Sequence, residues 1–472
     1  MSRVVPLQQF HADATTVISD GDHRLYLRTA LGGYAATRGK TQERFTDWSA
    51  ARHAAAEIKW NAIENLADHL ERFAENLEAN GVRVHWAEDD ASARDYVLKV
   101  LRESDAKKIV KSKTMTSEEI HLNAALDEAG FDVLESDLGE FIVQLLGQAP
   151  YHFVFPSMHL RRGEIAELFR EKLGQDIAGT SDDPAELTMV ARRVMRRAYL
   201  EADVGITGAN FGVADTGAIA ITENEGNARL TTALPRVHIA LMGIEKVIPS
   251  LGDLALLQPM LATAGTGQHL TGYNSLLAGP RRDGEVDGPE EMHVVLLDNG
   301  RTKLLADPEQ RDALRCIRCG ACLNVCPVFQ NIGGHSYGTT YQGPIGSVIT
   351  PHYKGLQKWK HLSHASSLCG ACTATCPVRI DLHHHLLRNR RDAVAEESPA
   401  SERAIFKMFA TVMTRPALYR MVGRIGWIGD KLLRPLRGGG LDPLKKWRKT
   451  RTLPPVAKES FQQWWDREGK QP

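Results

Sequence analysis

The chain has 472 residues, of which 43% are hydrophobic and 25% charged, the balance of an ordinary globular chain of two or three domains. Lysine plus arginine and aspartate plus glutamate are equal at 58 each, which argues against bulk nucleic-acid binding. There is no apolar run of about 18 residues, so no transmembrane helix is expected, and the first twenty residues lack the apolar core of a secretion signal.

Residues 1–50 read as an arm, with turn signals at Gly32-Gly33 and Arg38-Gly39-Lys40. Ile63, Leu66, Leu70, Phe73 and Leu77 then recur at helical steps up to a stop at Asn80-Gly81. A strand over 82–86, a helix over 92–103 and a short strand at Ile109-Val110 follow. Thr116-Ser117-Glu118-Glu119 has the form of a capping box opening a helix that ends at Gly130, before a strand over 131–134. A helix over 186–201 precedes strands over 204–207, 218–221, 237–241 and 292–297, with a glycine-rich loop over 264–288. The alternation predicts an α/β domain over 51–300 with a largely parallel sheet covered by helices.

From residue 301 the texture changes. All seven cysteines lie between Cys316 and Cys376, in two runs. The first is Cys316-x2-Cys319-x2-Cys322-x3-Cys326-Pro327; the second is Cys369-x2-Cys372-x3-Cys376-Pro377, with Ser366 where a fourth cysteine would stand. This is the spacing of a two-cluster bacterial ferredoxin, in which the last cysteine of each run serves the other cluster. One [4Fe-4S] cluster would take Cys316, Cys319, Cys322 and Cys376; the other would take Cys326, Cys369 and Cys372. The fourth site of the second cluster stays open between Ser366, an external ligand, a group from a partner subunit, and a three-iron cluster. Zinc fits less well, because it takes four ligands and does not require the x3-Cys-Pro ending. An odd number of cysteines in a chain that reads as cytoplasmic argues against disulfides. The 42 residues between Cys326 and Cys369 predict a helical ferredoxin-like two-cluster domain over 301–395.

A helical C-terminal tail over 396–472 completes the chain. From Ser401 onward it holds 16 basic against 6 acidic residues, with Trp427, Trp447, Trp464 and Trp465 among them. Docking on the chain's own acidic body or on a redox partner fits this pattern; peripheral membrane contact is the alternative.

Other residues carry weaker signals. Lys111 and Lys113 flank Ser112 at a strand-to-helix turn that could hold a carboxylate, a phosphate or a CoA-like group; the plainer reading is a solvated turn. Asn210, Asp215 and Thr216 sit among Gly205, Gly208, Gly212 and Gly217, which suits either a ligand-facing loop or tight sheet turns. Glu135, Asp137 and Glu140 could supply a general base but read more simply as a solvated loop and helix start. Gly265-Thr266-Gly267 is a weak dinucleotide signal. Three adjacent histidines, His383 to His385, point different ways on a helix and cannot all chelate one ion; a cluster ligand from among them, or from His335, is a minor alternative.

The α/β segment also contains Val110-Lys111-Ser112-Lys113-Thr114-Met115, Glu118-Glu119, Glu135-Ser136-Asp137-Leu138-Gly139-Glu140 and Gly205-Ile206-Thr207-Gly208-Ala209-Asn210-Phe211. Asp215-Thr216-Gly217, Gly226 to Leu230 and Leu234 to His238 follow, and His335 to Gly338 and Gly343 to Gly346 lie between the cysteine runs. With the cysteines, these segments resemble the lactate utilization protein B (LutB) family over nearly the whole chain. The resemblance implies a lactate-utilization (LUD) domain of NagB/RpiA/CoA transferase-like fold. It also implies two [4Fe-4S] clusters held by the seven cysteines, and electron transport in a three-protein system that oxidises L-lactate to pyruvate. The implied partners are A- and C-like subunits and a redox acceptor. The alternative is an enzyme whose α/β domain acts on an organic acid or acyl-CoA, with the clusters as its internal electron wire.

Overall fold

Six strands rich in Val, Ile and Leu run parallel in the computed structural model, which describes residues 7–174, 179, 181–433, 435, 442, 445–448, 451–452, 454 and 456–469. In chain order the strands are β1 (Arg83–Ala87), β2 (Lys108–Lys111), β3 (Asp132–Glu135), β4 (Val204–Gly208), β5 (Phe211–Val213), β6 (Ala218–Glu223), β7 (Val237–Gly243), β8 (Val247–Ile248), β9 (Tyr273–Leu277) and β10 (Glu291–Leu297). The large sheet has the order β1-β10-β7-β4-β2-β3. Every residue of β7 is buried, as a parallel strand covered on both faces requires.

Alternate residues supply the two faces. Val204, Ile206, Ile239, Leu241, Val295 and Leu297 share one core with the helix Asp90–Glu103. Ala240, Met242, Val294 and Leu296 share another with the helix Leu66–Ala79. That helix presents the predicted stripe of Leu66, Leu70, Phe73 and Leu77; Ile63 lies in the last turn of the preceding helix, Trp48–Glu64.

The predicted strand over 218–221 exists, but in a separate four-stranded sheet, β8-β5-β6-β9, where β6 is antiparallel to both neighbours. Phe211, Val213, Ala220 and Ile248 of this sheet share a core with Cys319, Cys322, Cys372 and Cys376. The capping box at Thr116 is not formed. Thr114 is the N-cap of the short helix Met115–Glu119, and His121, at φ +53°, separates it from Leu122–Glu128. Glu119 is drawn instead into a buried pairing with Arg301. The glycine-rich stretch is not all loop: the helix Leu254–Gly265 runs into it and β9 lies within it.

Within the arm, residues 7–42 form two helices, Leu7–Ser19 and Gly21–Gln42. Leu27 and Leu31 are fully buried, Phe10 packs edge-on against Tyr337, and Arg28 donates to Asn331 Oδ1 at 2.5 Å, so these helices cover the cysteine segment. The insert between the cysteine runs is helical as predicted, with Gly343–Lys354 and Leu356–His364 as its longest pieces.

Two units divide the chain, Met1–Ala393 and Val394–Pro472. The second contains the helices Ala400–Met413, Pro416–Leu433, Lys445–Arg448 and Phe461–Glu468. Among the described residues no helix is long and apolar enough to cross a membrane.

Candidate cluster sites and the adjoining cleft

The two cysteine runs fold alike. Arg318 and Leu368 both take left-handed backbone, at φ +59° and +56°, and so do Gly320 and Gly370, at +80° and +78°. Each run then enters a short helix, Ala321–Asn324 or Ala371–Thr375. Left-handed backbone is costly for arginine and leucine, so its repetition shows that the loop geometry dictates it. The N–H of Arg318 donates to Cys316 Sγ at 3.4 Å, and the N–H of Leu368 donates to Ser366 Oγ at 3.1 Å. Ser366 therefore stands in the second run where Cys316 stands in the first.

Cys316, Cys319, Cys322 and Cys376 line one small cavity, walled by Phe153, Ile317, Ile345, Val378 and Ile380. Cys376 arrives there from the far run, held by Arg52 Nε donating to its carbonyl at 2.9 Å. Burial pushes the Cys376 thiol up to about 12, with Cys316 adding to the effect and the N–H groups of Ile380 and Val378 opposing it. Cys319 and Cys322 are raised as well, by burial and then by neighbouring cysteines. Four convergent sulfurs in an apolar enclosure cannot all be thiolates without a cationic centre among them. This donor set fits an iron–sulfur cubane.

Cys326, Cys369 and Cys372 form the second group. Burial raises the Cys326 thiol, with Cys369 adding to it, and burial followed by Cys326 pushes Cys372 up to about 11. Cys369 is the one exposed cysteine of the seven. Cys372 of the second group is among the neighbours that raise the Cys322 thiol of the first, so the two groups are close enough to interact electrostatically.

On the other side of Cys319 lies a cleft of about 380 Å³. It opens at the C-terminal ends of β2, β4 and β7, through Ser112 to Met115, Gly208 to Asn210, and Lys246. Between β2 and β4 the chain order reverses: β2 leads outward to β3, whereas β4 leads through β7 to β10. Such a switch point is where open parallel sheets take ligands. Phe153 and Cys319 line both the cleft and the four-cysteine cavity.

A buried ionic network joins the sheet to the cysteine segment. Arg301 pairs with Glu119 at 2.8 Å and Glu245 at 2.5 Å, and Arg318 pairs with Glu245 at 3.1 Å. Tyr341 Oη donates to Glu119 at 2.7 Å, and the Arg318 guanidinium lies over the Tyr341 ring at 4.5 Å. Burial alone would raise the carboxyl of Glu245, but Arg301 and Arg318 hold it down at about 2. Sequence reasoning passed over Arg318, Lys246, Glu245 and Arg301. The available signal was Arg318, a cation placed between two cysteines of one run.

The weaker candidates separate. Lys113 and Asn210 line the cleft. Lys111 does not: it is fully buried, 2.6 Å from Glu135 and 3.6 Å from Glu118. Asp215 accepts from Leu251 N at 3.0 Å and the Thr216 carbonyl accepts from Asn80 Nδ2 at 2.9 Å, both away from the cleft lining. Glu135 and Glu140 are buried, contrary to a solvated acidic run. Gly265 packs against the cysteine segment: a Cβ there would meet the Cys319 carbonyl oxygen at 2.8 Å. His385 is buried against Gln310 and Asp312, while His383 and His384 share Asp381. His335 bonds the Ala149 carbonyl, away from the cysteines.

An α/β domain fused to a segment that gathers seven cysteines in two groups defines a class: an iron–sulfur protein carrying an α/β domain. Comparison with known proteins agrees. Residues 70–297 match the LUD domain, 312–380 the 4Fe-4S dicluster domain, and 386–470 the C-terminal domain of lactate utilisation protein B. Lactate utilization protein B of Bacillus velezensis is 42% identical over 469 residues, covering 96% of each chain. The proteins of that name from Bacillus thuringiensis and Bacillus anthracis are 40% identical, covering 98% of each. The chain belongs to the lactate utilization protein B family. A solved DUF162 family protein from Deinococcus radiodurans aligns at 14% identity over 49% of this chain and 98% of its own, with a TM-score of 0.28, too low to carry a fold argument.

Proposed function

We propose that this lactate-utilization iron–sulfur protein is an electron carrier in the oxidation of L-lactate to pyruvate, working with A- and C-like subunits and a redox acceptor. The observation that carries the reading is the gathering of Cys316, Cys319, Cys322 and Cys376 around one apolar cavity, beside a second group of Cys326, Cys369 and Cys372. The first four residues would hold one [4Fe-4S] cluster and the other three a second, with Ser366 as candidate fourth ligand. Each cluster when bound passes one electron at a time, so the pair matches the two electrons released per lactate.

The chain's own groups set the conditions for that role. N–H donors from Arg318 and Ile380 reach Cys316 and Cys376 sulfur, which favours the reduced state. The charge of Arg318 acts in the same direction. The exposed Cys369 marks the second group as the side facing a partner. The domain reading is an α/β lactate-utilization domain of NagB/RpiA-like fold over 51–300, a cluster domain over 301–395 and a basic C-terminal region for docking, in a cytoplasmic setting with at most peripheral membrane contact.

Anaerobic mixing of the purified chain with the other lactate-utilization proteins and L-lactate tests this. Bleaching of the cluster absorbance that requires all components is expected. Clusters that dithionite reduces but that no combination with lactate reduces would refute the role.

A further inference from the structure

The cleft beside Cys319 is lined by three cations whose hydrogen-bonding capacity is largely unspent. Lys113 Nζ donates to the Val154 carbonyl at 2.6 Å, and Lys246 Nζ donates to the Ala209 carbonyl at 2.7 Å. Each ammonium has three N–H donors. Arg318 gives Nη2 to Glu245, but its Nε and Nη1 are buried without a hydrogen-bond partner, in a side chain only 9% exposed. A buried guanidinium with idle donors costs free energy unless a ligand satisfies them.

The acidic residues of the same cleft are already engaged. Asp137 accepts from Glu140 N, Glu223 from Ala228 N and Arg229 N, and Glu225 from Leu138 N. Burial, then Asp137, pushes the Glu225 carboxyl up to about 7, so part of this negative charge is neutralised near neutral pH. Phe153, Phe155 and Tyr341 supply apolar wall. The volume of about 380 Å³ lies within the usual range of small-molecule sites.

We propose that this cleft binds the carboxylate of a small organic acid, a 2-hydroxy acid or its 2-oxo counterpart, through Arg318, Lys246 and Lys113 and against the Cys319 wall of the four-cysteine cavity. The choice of acid rests on the lactate reading above; the site rests on the geometry. Arg318 bears on both sides, since it stands two residues from Cys316 and its side chain lines the cleft. An anion bound there offsets the positive charge that Arg318 presents to Cys316. Carboxylate binding and the potential of the first cluster are thereby coupled, and by linkage the coupling acts in both directions.

Isothermal titration of anaerobically purified, iron-replete full-length protein tests the site, with L-lactate, pyruvate and inorganic phosphate as probes. One-to-one binding of L-lactate or pyruvate is expected, with phosphate failing to compete. Lys246→Met and Arg318→Gln should each weaken binding about tenfold or more, the loss of one charge-assisted contact, at unchanged iron content. A downward shift in the midpoint potential of the first cluster on adding pyruvate is the second expected readout. If Arg318→Gln loses iron, Lys113→Met and Lys246→Met decide. Iron-replete protein that binds neither acid at about 10 mM, a Kd worth only about −3 kcal/mol of binding free energy, overturns the proposal. So do lysine variants that bind as the wild type does, or phosphate that binds equally well. Redox-competent clusters with an empty cleft would sink this site alone; absent clusters would sink the electron-carrier reading.

Discussion

At the residue scale, Ser366 is the most consequential departure in the chain. It accepts the N–H two residues on, as Cys316 does, so its oxygen is presented as the sulfur is. Serine is a poor partner for iron beside thiolate, and its group includes the exposed Cys369. Mild oxidation should therefore convert the second cluster to a three-iron species, visible by electron paramagnetic resonance, while the first persists. Ser366→Cys should suppress that conversion; equal resistance of both clusters in the wild type would contradict the account. Cys376→Ala should damage the first cluster, despite its place in the second run, because Cys376 lines the cavity with Cys316, Cys319 and Cys322. Iron analysis should fall from about eight to about four per chain, with the Cys326, Cys369 and Cys372 cluster retained.

At the element scale, the interlock between sheet and cysteine segment governs stability. Arg301, Glu119 and Glu245 are each 1% exposed at the side chain. Arg301→Ala removes the cation paired with buried Glu119 and leaves buried Glu245 with Arg318 as its ion-pair partner, and should destabilise the fold by about 3–5 kcal/mol, read as a lowered unfolding midpoint. Gly265→Ala places a methyl group 2.8 Å from the Cys319 carbonyl oxygen and should cost about 1–3 kcal/mol. Cluster loss should accompany it, since Cys319 must shift; an unchanged visible spectrum would count against this packing role. Periodicity exposed most elements of the sheet because parallel strands and amphipathic helices write their burial into local spacing, as Leu66, Leu70, Phe73 and Leu77 do. The cysteine runs were legible because the ligand geometry fixes their intervals. The network was not, because Glu119, Glu245, Arg301 and Arg318 meet through tertiary packing from distant segments. Glu119 misled directly: beside Thr116 it has the form of a capping box, but its partner is Arg301, contributed after the last strand. Likewise the glycines of 205–217 suit a ligand loop, yet Gly212 and Gly217 are there to let the helix Leu66–Ala79 approach.

At the scale of the whole molecule, the arrangement of Met1–Ala393 has a direction. The cleft shares Cys319 with the first cysteine group, the first group interacts electrostatically with the second through Cys322 and Cys372, and the second reaches the surface at Cys369. Electrons entering at the cleft would leave through the second group. The four-cysteine site is the more protected one: none of its cysteines is exposed, whereas the second group includes exposed Cys369. Everything in this account depends on two clusters being present. The most direct measurement is the iron and acid-labile sulfide content of anaerobically purified protein. About eight of each per chain is the predicted result; stoichiometric zinc with little sulfide would contradict it.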